Sequence, residues 1–125
     1  MAQNPETRIQ NDCLLATGDH PDVLAFRQHS GVFRSMDGDR VVKVGLPGMA
    51  DLGMIVPMKI TADMVGRVVG VAVQPEIKTR RGRQAEDQHT WQAAVARSGG
   101  VYRLVRSAED MRKLIADVRA GKHLK

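Results

Sequence analysis

The sequence predicts a mixed α/β fold: one central mixed β-sheet flanked by helices, in the order α-β-β-β-α-β-α. Three observations predict it. A valine-rich run (Val65, Val68, Val69, Val71, Val73, Ile77) has the composition of a buried strand. Met111, Leu114, Ile115 and Val118 repeat at i, i+3, i+4 and i+7, the spacing of an amphipathic helix. Glycine, proline and aspartate clusters punctuate the chain between such segments. The length of 125 residues suits a single domain over residues 1–125.

Taken in order, the first element is helical. Asn4 is a suitable N-cap, Pro5 fits the first helical position, and Glu6 places a carboxylate where the helix dipole favours it. Ile9, Cys13 and Ala16 follow at helical spacing, which predicts an inward face carrying Cys13 as a core residue. The helix stops at Thr17-Gly18-Asp19-His20-Pro21. Residues 23–26 read as a short strand, and residues 33–36 and 40–44 flank Asp37-Gly38 as a hairpin. Residues 51–56 read as a strand entered from a Gly-Leu-Pro-Gly loop. Residues 66–78 form the strongest strand pattern, expected at the centre of the sheet. Residues 85–97 are helical and end at Ser98-Gly99-Gly100. Residues 101–105 are a strand, and Ser107-Ala108-Glu109-Asp110 is a capping box opening the last helix. Residues 120–125 are expected to be a frayed basic tail.

Composition narrows function. Nineteen Lys and Arg against 14 Asp and Glu leave a net charge of +5, which favours a polyanionic partner. Aromatics are only 3% (Phe26, Phe33, Trp91, Tyr102), which argues against single-strand binders that stack bases on several aromatic platforms. One cysteine excludes an intrachain disulfide and a Cys-rich zinc site. No run approaches roughly 18 apolar residues, so no membrane span is expected. Residues 1–6 lack a basic n-region and an apolar h-region, so the expected location is cytoplasmic.

The chemistry concentrates at Asp51 and at Glu76-Ile77-Lys78. Glu76 and Lys78 are two apart on a strand and share a face. Antiparallel pairing of the Asp51 and Lys78 strands would bring the two carboxylates to one edge. Paired carboxylates suit a hard cation such as Mg²⁺, and a nearby lysine suits orienting water or neutralising phosphate charge. Gln88 shares a helix face with Trp91, Gln92 and Val95, so it points inward near the strand ends. It either caps a backbone group or holds a water or phosphate oxygen. The run from Lys78 through Arg80 and Arg81 to Arg83 sets four cations within six residues beside these groups.

Together these residues resemble the virus-type replication-repair nuclease (VRR-NUC) family of the PD-(D/E)XK superfamily. Glu6-Thr7-Arg8-Ile9-Gln10 is similar to the opening E-x-x-x-Q helix. Phe26-Arg27-Gln28-His29-Ser30-Gly31 resembles the aromatic-Arg-Asn-x-x-Gly segment, with His29 at the last-but-two position of that match. Gly48-Met49-Ala50-Asp51-Leu52-Gly53 resembles G-x-P-D-L-x, with Ala50 where the family has proline. Glu76-Ile77-Lys78, Gly82-Arg83 and Gln88 resemble E-[IV]-K, G-R and Q, and Pro75 before Glu76 points to a bulge or a strand edge. Gly99-Gly100-Val101 and Arg106-Ser107-Ala108-Glu109-Asp110 resemble the closing strand and helix start.

The resemblance implies a restriction-endonuclease-like core. It implies Mg²⁺ or Mn²⁺ held by Asp51, Glu76, the Ile77 carbonyl and Glu6, with Lys78 as catalytic lysine and Gln88 completing the site. Arg27, Arg80, Arg81 and Arg83 are the expected DNA contacts. The implied activity is metal-dependent, structure-specific cleavage of branched DNA by a homodimer, as in the stand-alone Holliday-junction resolvases of phages and bacteria. The alternatives are a catalytically silent DNA-binding module of the same fold, or a nickase of flaps or single-strand/duplex junctions.

Overall fold

A computed structural model describes residues 4–29 and 31–125, so Ser30 of the Phe26-to-Gly31 segment and residues 1–3 lie outside the described residues. The chain divides into two units, Met1–Met54 and Ile55–Lys125.

In the first unit, α1 (Pro5–Thr17) starts as the sequence dictates: the Asn4 side chain accepts the Glu6 N–H at 2.8 Å and Pro5 occupies the first turn. Its inward face differs from the expected one. Ile9, Cys13 and Ala16 are exposed, and the half-buried stripe is Thr7, Gln10, Asn11, Leu14 and Thr17. The reason is β1 (Leu24–Arg27), whose Arg27 guanidinium donates to Gln10 Oε1 at 2.9 Å and to Asn11 Oδ1. A charge-assisted tie to two amides turns the polar side of α1 toward the strand. Cys13 is therefore a surface thiol rather than a core residue.

β2 (Gly31–Arg34) and β3 (Val41–Val44) form an antiparallel hairpin in which Phe33 pairs with Val42. β2 lies two residues earlier than expected and β3 starts one residue later, because the turn takes up residues 35–40. Ser35 and Arg40 exchange backbone and side-chain hydrogen bonds, and Gly38 adopts φ 79°. Asp37 accepts from Ser35 Oγ at 2.5 Å and from the Asp39 N–H at 3.0 Å, and both bonds hold its carboxyl below the usual aspartate value. Every residue of the hairpin strands is exposed.

β4 (Leu52–Ile55) pairs with β1. Phe26 and Gln28 lie so close over Gly53 that a methyl there would sit 2.6 Å from a Phe26 ring carbon and 2.7 Å from Gln28 Oε1. Only glycine fits that approach.

The second unit is built on β5 (Val73–Ile77), α2 (Glu86–Arg97), β6 (Val101–Val105) and α3 (Ala108–Arg119). β5 and β6 run parallel, Val73 beside Val101 and Glu76 beside Leu104, with α2 as the crossover between them. One face of this ribbon packs on α3: Val101, Val105 and Leu114 are buried, with Val73, Met111 and Val118 against them. The α2 side contributes Val95, which is fully buried beneath Ile55 and Gly100. Ser107 accepts the Asp110 N–H at 3.1 Å, the forward half of the predicted capping box, while the Asp110 carboxylate accepts the N–H of Arg106 at 2.9 Å, one residue before the N-cap, instead of that of Ser107.

The architecture is mixed α/β as expected, but the central sheet is not formed. Among the described residues there are three two-stranded sheets, pairing β1 with β4, β2 with β3 and β5 with β6. The antiparallel pairing expected between the Asp51 and Lys78 strands is replaced by β4 on β1 and β5 on β6. The long valine-rich strand also shrinks to Val73–Ile77. Val65, Val68, Val69 and Val71 are exposed in irregular backbone containing Gly66 at φ 86°. Strand propensity reports fit to a half-buried pleat, and without a paired neighbour these valines gain nothing from extension.

α3 departs from expectation at two positions. Ile115 is half exposed, and the inward position is taken by Asp117, which is 8% exposed. Asp117 is held by Lys113 at 3.0 Å, Arg103 at 2.9 Å and Lys122 at 3.4 Å. Hydrogen bonds from Lys113 and then Arg103 lower its pKa to about 2. The expected frayed tail is ordered for the same reason: Lys122 reaches Asp117, and residues Lys122–Leu124 form a 3-10 turn after Gly121 at φ 71°. No helix among the described residues is long and apolar enough to cross a membrane.

Candidate active site

Strand alternation places Gln74, Glu76 and Lys78 on one side of β5, and the inward stripe of α2 meets them there. Trp91 Nε1 donates to Gln74 Oε1 at 2.5 Å. One turn earlier, Gln88 Nε2 donates to Glu76 Oε1 at 2.5 Å. Lys78 Nζ lies 3.6 Å from the same oxygen, and the Lys78 and Glu76 side chains are 20% and 27% exposed. Of the two alternatives for Gln88, the capping one is seen: its Oε1 accepts the Ala85 N–H at 2.9 Å, while its amide nitrogen is used on the Glu76 carboxylate rather than on a water or phosphate oxygen.

The Gln88 and Lys78 contacts of Glu76 both fall on Oε1. The ladder explains Pro75 and the Ile77 carbonyl together. Val101 N–H donates to Ala72 O and Lys78 N–H to Val105 O, so even-numbered residues of β5 address β6. Pro75 and Ile77 then direct their backbone groups to the other edge of the strand. A missing N–H costs no β5–β6 ladder bond at Pro75, and the Ile77 carbonyl is not used by β6.

The run of cations after Lys78 is a tight turn, closed by Gly82 N–H on Thr79 O at 3.0 Å, with Arg80, Arg81 and Arg83 exposed. Its organiser is Arg106, whose Nη1 donates to the carbonyls of Thr79 at 2.6 Å, Arg80 at 3.2 Å and Gly82 at 2.8 Å. Sequence reasoning missed Arg106. The only signal was a cation just before the capping box, where a long side chain can turn back over the preceding strand.

In the first unit Asp51 is exposed at the entry to β4. Gln28 brackets its backbone: Gln28 N–H donates to Asp51 O at 2.8 Å, and its side-chain amide donates to Ala50 O at 3.1 Å and Leu52 O at 3.4 Å. The Asp51 carboxylate takes no partner among the described residues. Glu6 is exposed in the first turn of α1, and Arg27 makes the α1 contacts described above. Glu76, Lys78 and Gln88 are thus brought together by the second unit, and Asp51 is braced by the first. Among the described residues, no group of three or more His, Cys, Asp or Glu gathers to hold a metal ion. The chain matches no family model, no curated protein and no solved structure.

Proposed function

We propose that the protein is a metal-dependent, structure-specific DNA endonuclease with a VRR-NUC-like site. The observation that carries this reading is the Glu76–Lys78–Gln88 group, a partly exposed carboxylate fixed through Oε1, with a lysine beside it and a cationic turn adjoining it. Within the second unit, the Glu76 carboxylate and the Ile77 carbonyl are oxygen ligands of the type Mg²⁺ or Mn²⁺ takes, and the family resemblance adds the carboxylates of Asp51 and Glu6, both exposed in the first unit. When bound, the metal supplies charge neutralisation at the scissile phosphate and a more acidic water.

The chain's own residues do the rest. Gln88 holds Glu76 in a single orientation. Lys78 Nζ orients the attacking water and offsets negative charge developing on the phosphorus oxygens. Water oxygen bonds to phosphorus, the bond to the 3′ oxygen breaks, and that oxygen takes a proton, leaving a 5′-phosphate and a 3′-hydroxyl. Arg80, Arg81 and Arg83 contact the backbone of duplex arms, and Arg27 is a further proposed contact. A junction resolvase makes two symmetric cuts, so the reading includes a homodimer.

Incubation with a four-way junction and Mg²⁺ tests it. The wild type nicks the junction, Lys78→Ala cuts about 10²- to 10³-fold more slowly while still binding, and Gln88→Ala loses about 10- to 100-fold. Lys125→Ala serves as the surface control. A wild type that binds but never cuts with Mg²⁺ or Mn²⁺ sinks the enzyme reading and leaves a DNA-binding module. A monomer by light scattering at high concentration sinks the resolvase form and favours nicking of flaps.

A further inference from the structure

We propose that Arg106 is a positioning residue that clamps the turn at residues 79–82 so that Arg80, Arg81 and Arg83 are preset for a phosphodiester backbone; this rests on the nucleic-acid reading above. Three carbonyls of one turn converge on a single guanidinium nitrogen. A turn outside any sheet would otherwise give those carbonyls to water and fluctuate among conformers. The clamp is itself anchored. Arg106 N–H is fixed by Asp110 Oδ2 at 2.9 Å, and the residue before it accepts the Lys78 N–H through Val105 O at 3.1 Å. Residues 105 and 106 therefore hold both the site lysine and the turn that follows it.

Charge points to the occupant. Among the described residues, no carboxylate pairs with the guanidinium of Arg80, Arg81, Arg83 or Arg106. Holding like charges together in one ordered turn is unfavourable by itself, and an anionic partner reverses the sign. The carbonyls are turned inward onto Arg106, so the turn presents its cations, not its acceptors. Regularly spaced phosphates are the chemistry that such a surface fits. Ordering the arginines before binding also removes entropy that association would otherwise have to overcome.

The test uses the full chain with a fluorescent four-way junction in EDTA, which prevents cutting, across a salt series. Arg106 touches no phosphate in this proposal, yet Arg106→Ala lowers affinity at least tenfold. It also reduces the slope of log affinity against log salt by roughly 2 to 3, matching Arg80→Ala/Arg81→Ala/Arg83→Ala. Adding Arg106→Ala to that triple variant changes nothing further. Trypsin nicks the turn faster in free Arg106→Ala than in wild type. Arg106→Lys, which keeps the charge on a shorter stem, behaves like Arg106→Ala and supplies the same comparison if the alanine variant folds poorly. A slope change near 1, additive with the triple variant, makes Arg106 an ordinary phosphate contact and overturns the inference. Unchanged trypsin cleavage overturns the clamp. Faster cleavage with unchanged binding overturns the presentation role and leaves the nuclease reading standing. A wild type that binds no DNA overturns both, while trypsin still reports whether the clamp exists.

Discussion

β3 and β6 are both short strands with valine at each end, Val41–Val44 and Val101–Val105, yet they meet opposite fates. The β3 valines are 57, 49 and 38% exposed, whereas Val101 and Val105 are 6 and 3% exposed. Residue type does not separate them. β6 lies in a ribbon with α3 packed on one side and α2 crossing on the other, and the first unit covers its hairpin with no comparable layer. A strand's apolar residues are worth burying only where another element supplies the facing surface. The second unit is held by a packed core and the first by local polar ties: Asn4 on α1, Arg27 on Gln10 and Asn11, Ser35 and Asp37 in the turn.

That contrast makes unequal demands on substitution. Leu114→Ala, at a side chain 1% exposed, should cost about 2–5 kcal/mol in chemical denaturation, and a cost below 1 would mean that the second unit lacks a real core. Asp117→Asn should lower the denaturation midpoint next most strongly, because it leaves Arg103, Lys113 and Lys122 around a neutral amide. The pH dependence has a definite sign. The folded pKa of about 2 lies below the ordinary 3.8, so the wild type holds this stabilisation above about pH 4 and loses it as pH falls toward 2. Midpoints measured across that window should drop in the wild type by a component that Asp117→Asn lacks, and parallel curves would refute the assignment.

Gly53→Ala should cost about 1–3 kcal/mol, since Phe26 and Gln28 must move, and it should weaken the brace on Asp51. Crystallography or NMR of the variant, with Phe26 undisplaced, would count against this. Val42→Thr on the exposed hairpin should change monomer stability by less than about 0.5 kcal/mol. A larger loss that depends on protein concentration would reveal a buried hairpin, and with it the homodimer proposed above.

Much of the local structure was legible. The Asn4-Pro5-Glu6 start, the Ser107-to-Asp110 cap and the Gln88-Trp91-Val95 stripe depend on hydrogen bonds and periodicities spanning a few residues. The shared side of Glu76 and Lys78 followed from period-2 alternation, and Pro75 correctly marked a strand edge. The illegible parts all depended on distant partners. Ile9 and Cys13 had the right spacing for a buried face, but Arg27 selected the opposite one. Val65 to Val71 had strand composition and no strand to pair with. Ile115 fitted the heptad-like stripe, but the cations of residues 103, 113 and 122 drew Asp117 inward instead. Arg106 takes its role from the 79–82 turn, more than twenty residues away along the chain.

Residue order therefore determined the mixed α/β class, the caps and turns, the basic surplus and the pairing of carboxylate with lysine on one strand face. Each is a property of neighbours along the chain, where covalent geometry sets the distances. Tertiary structure decided which strands pair, which side of each helix is inward, and which of the cations are spent internally on Asp117 and the turn carbonyls. Those choices turn on competition between distant surfaces for the same partner, and spacing along a chain carries no record of which competitor wins.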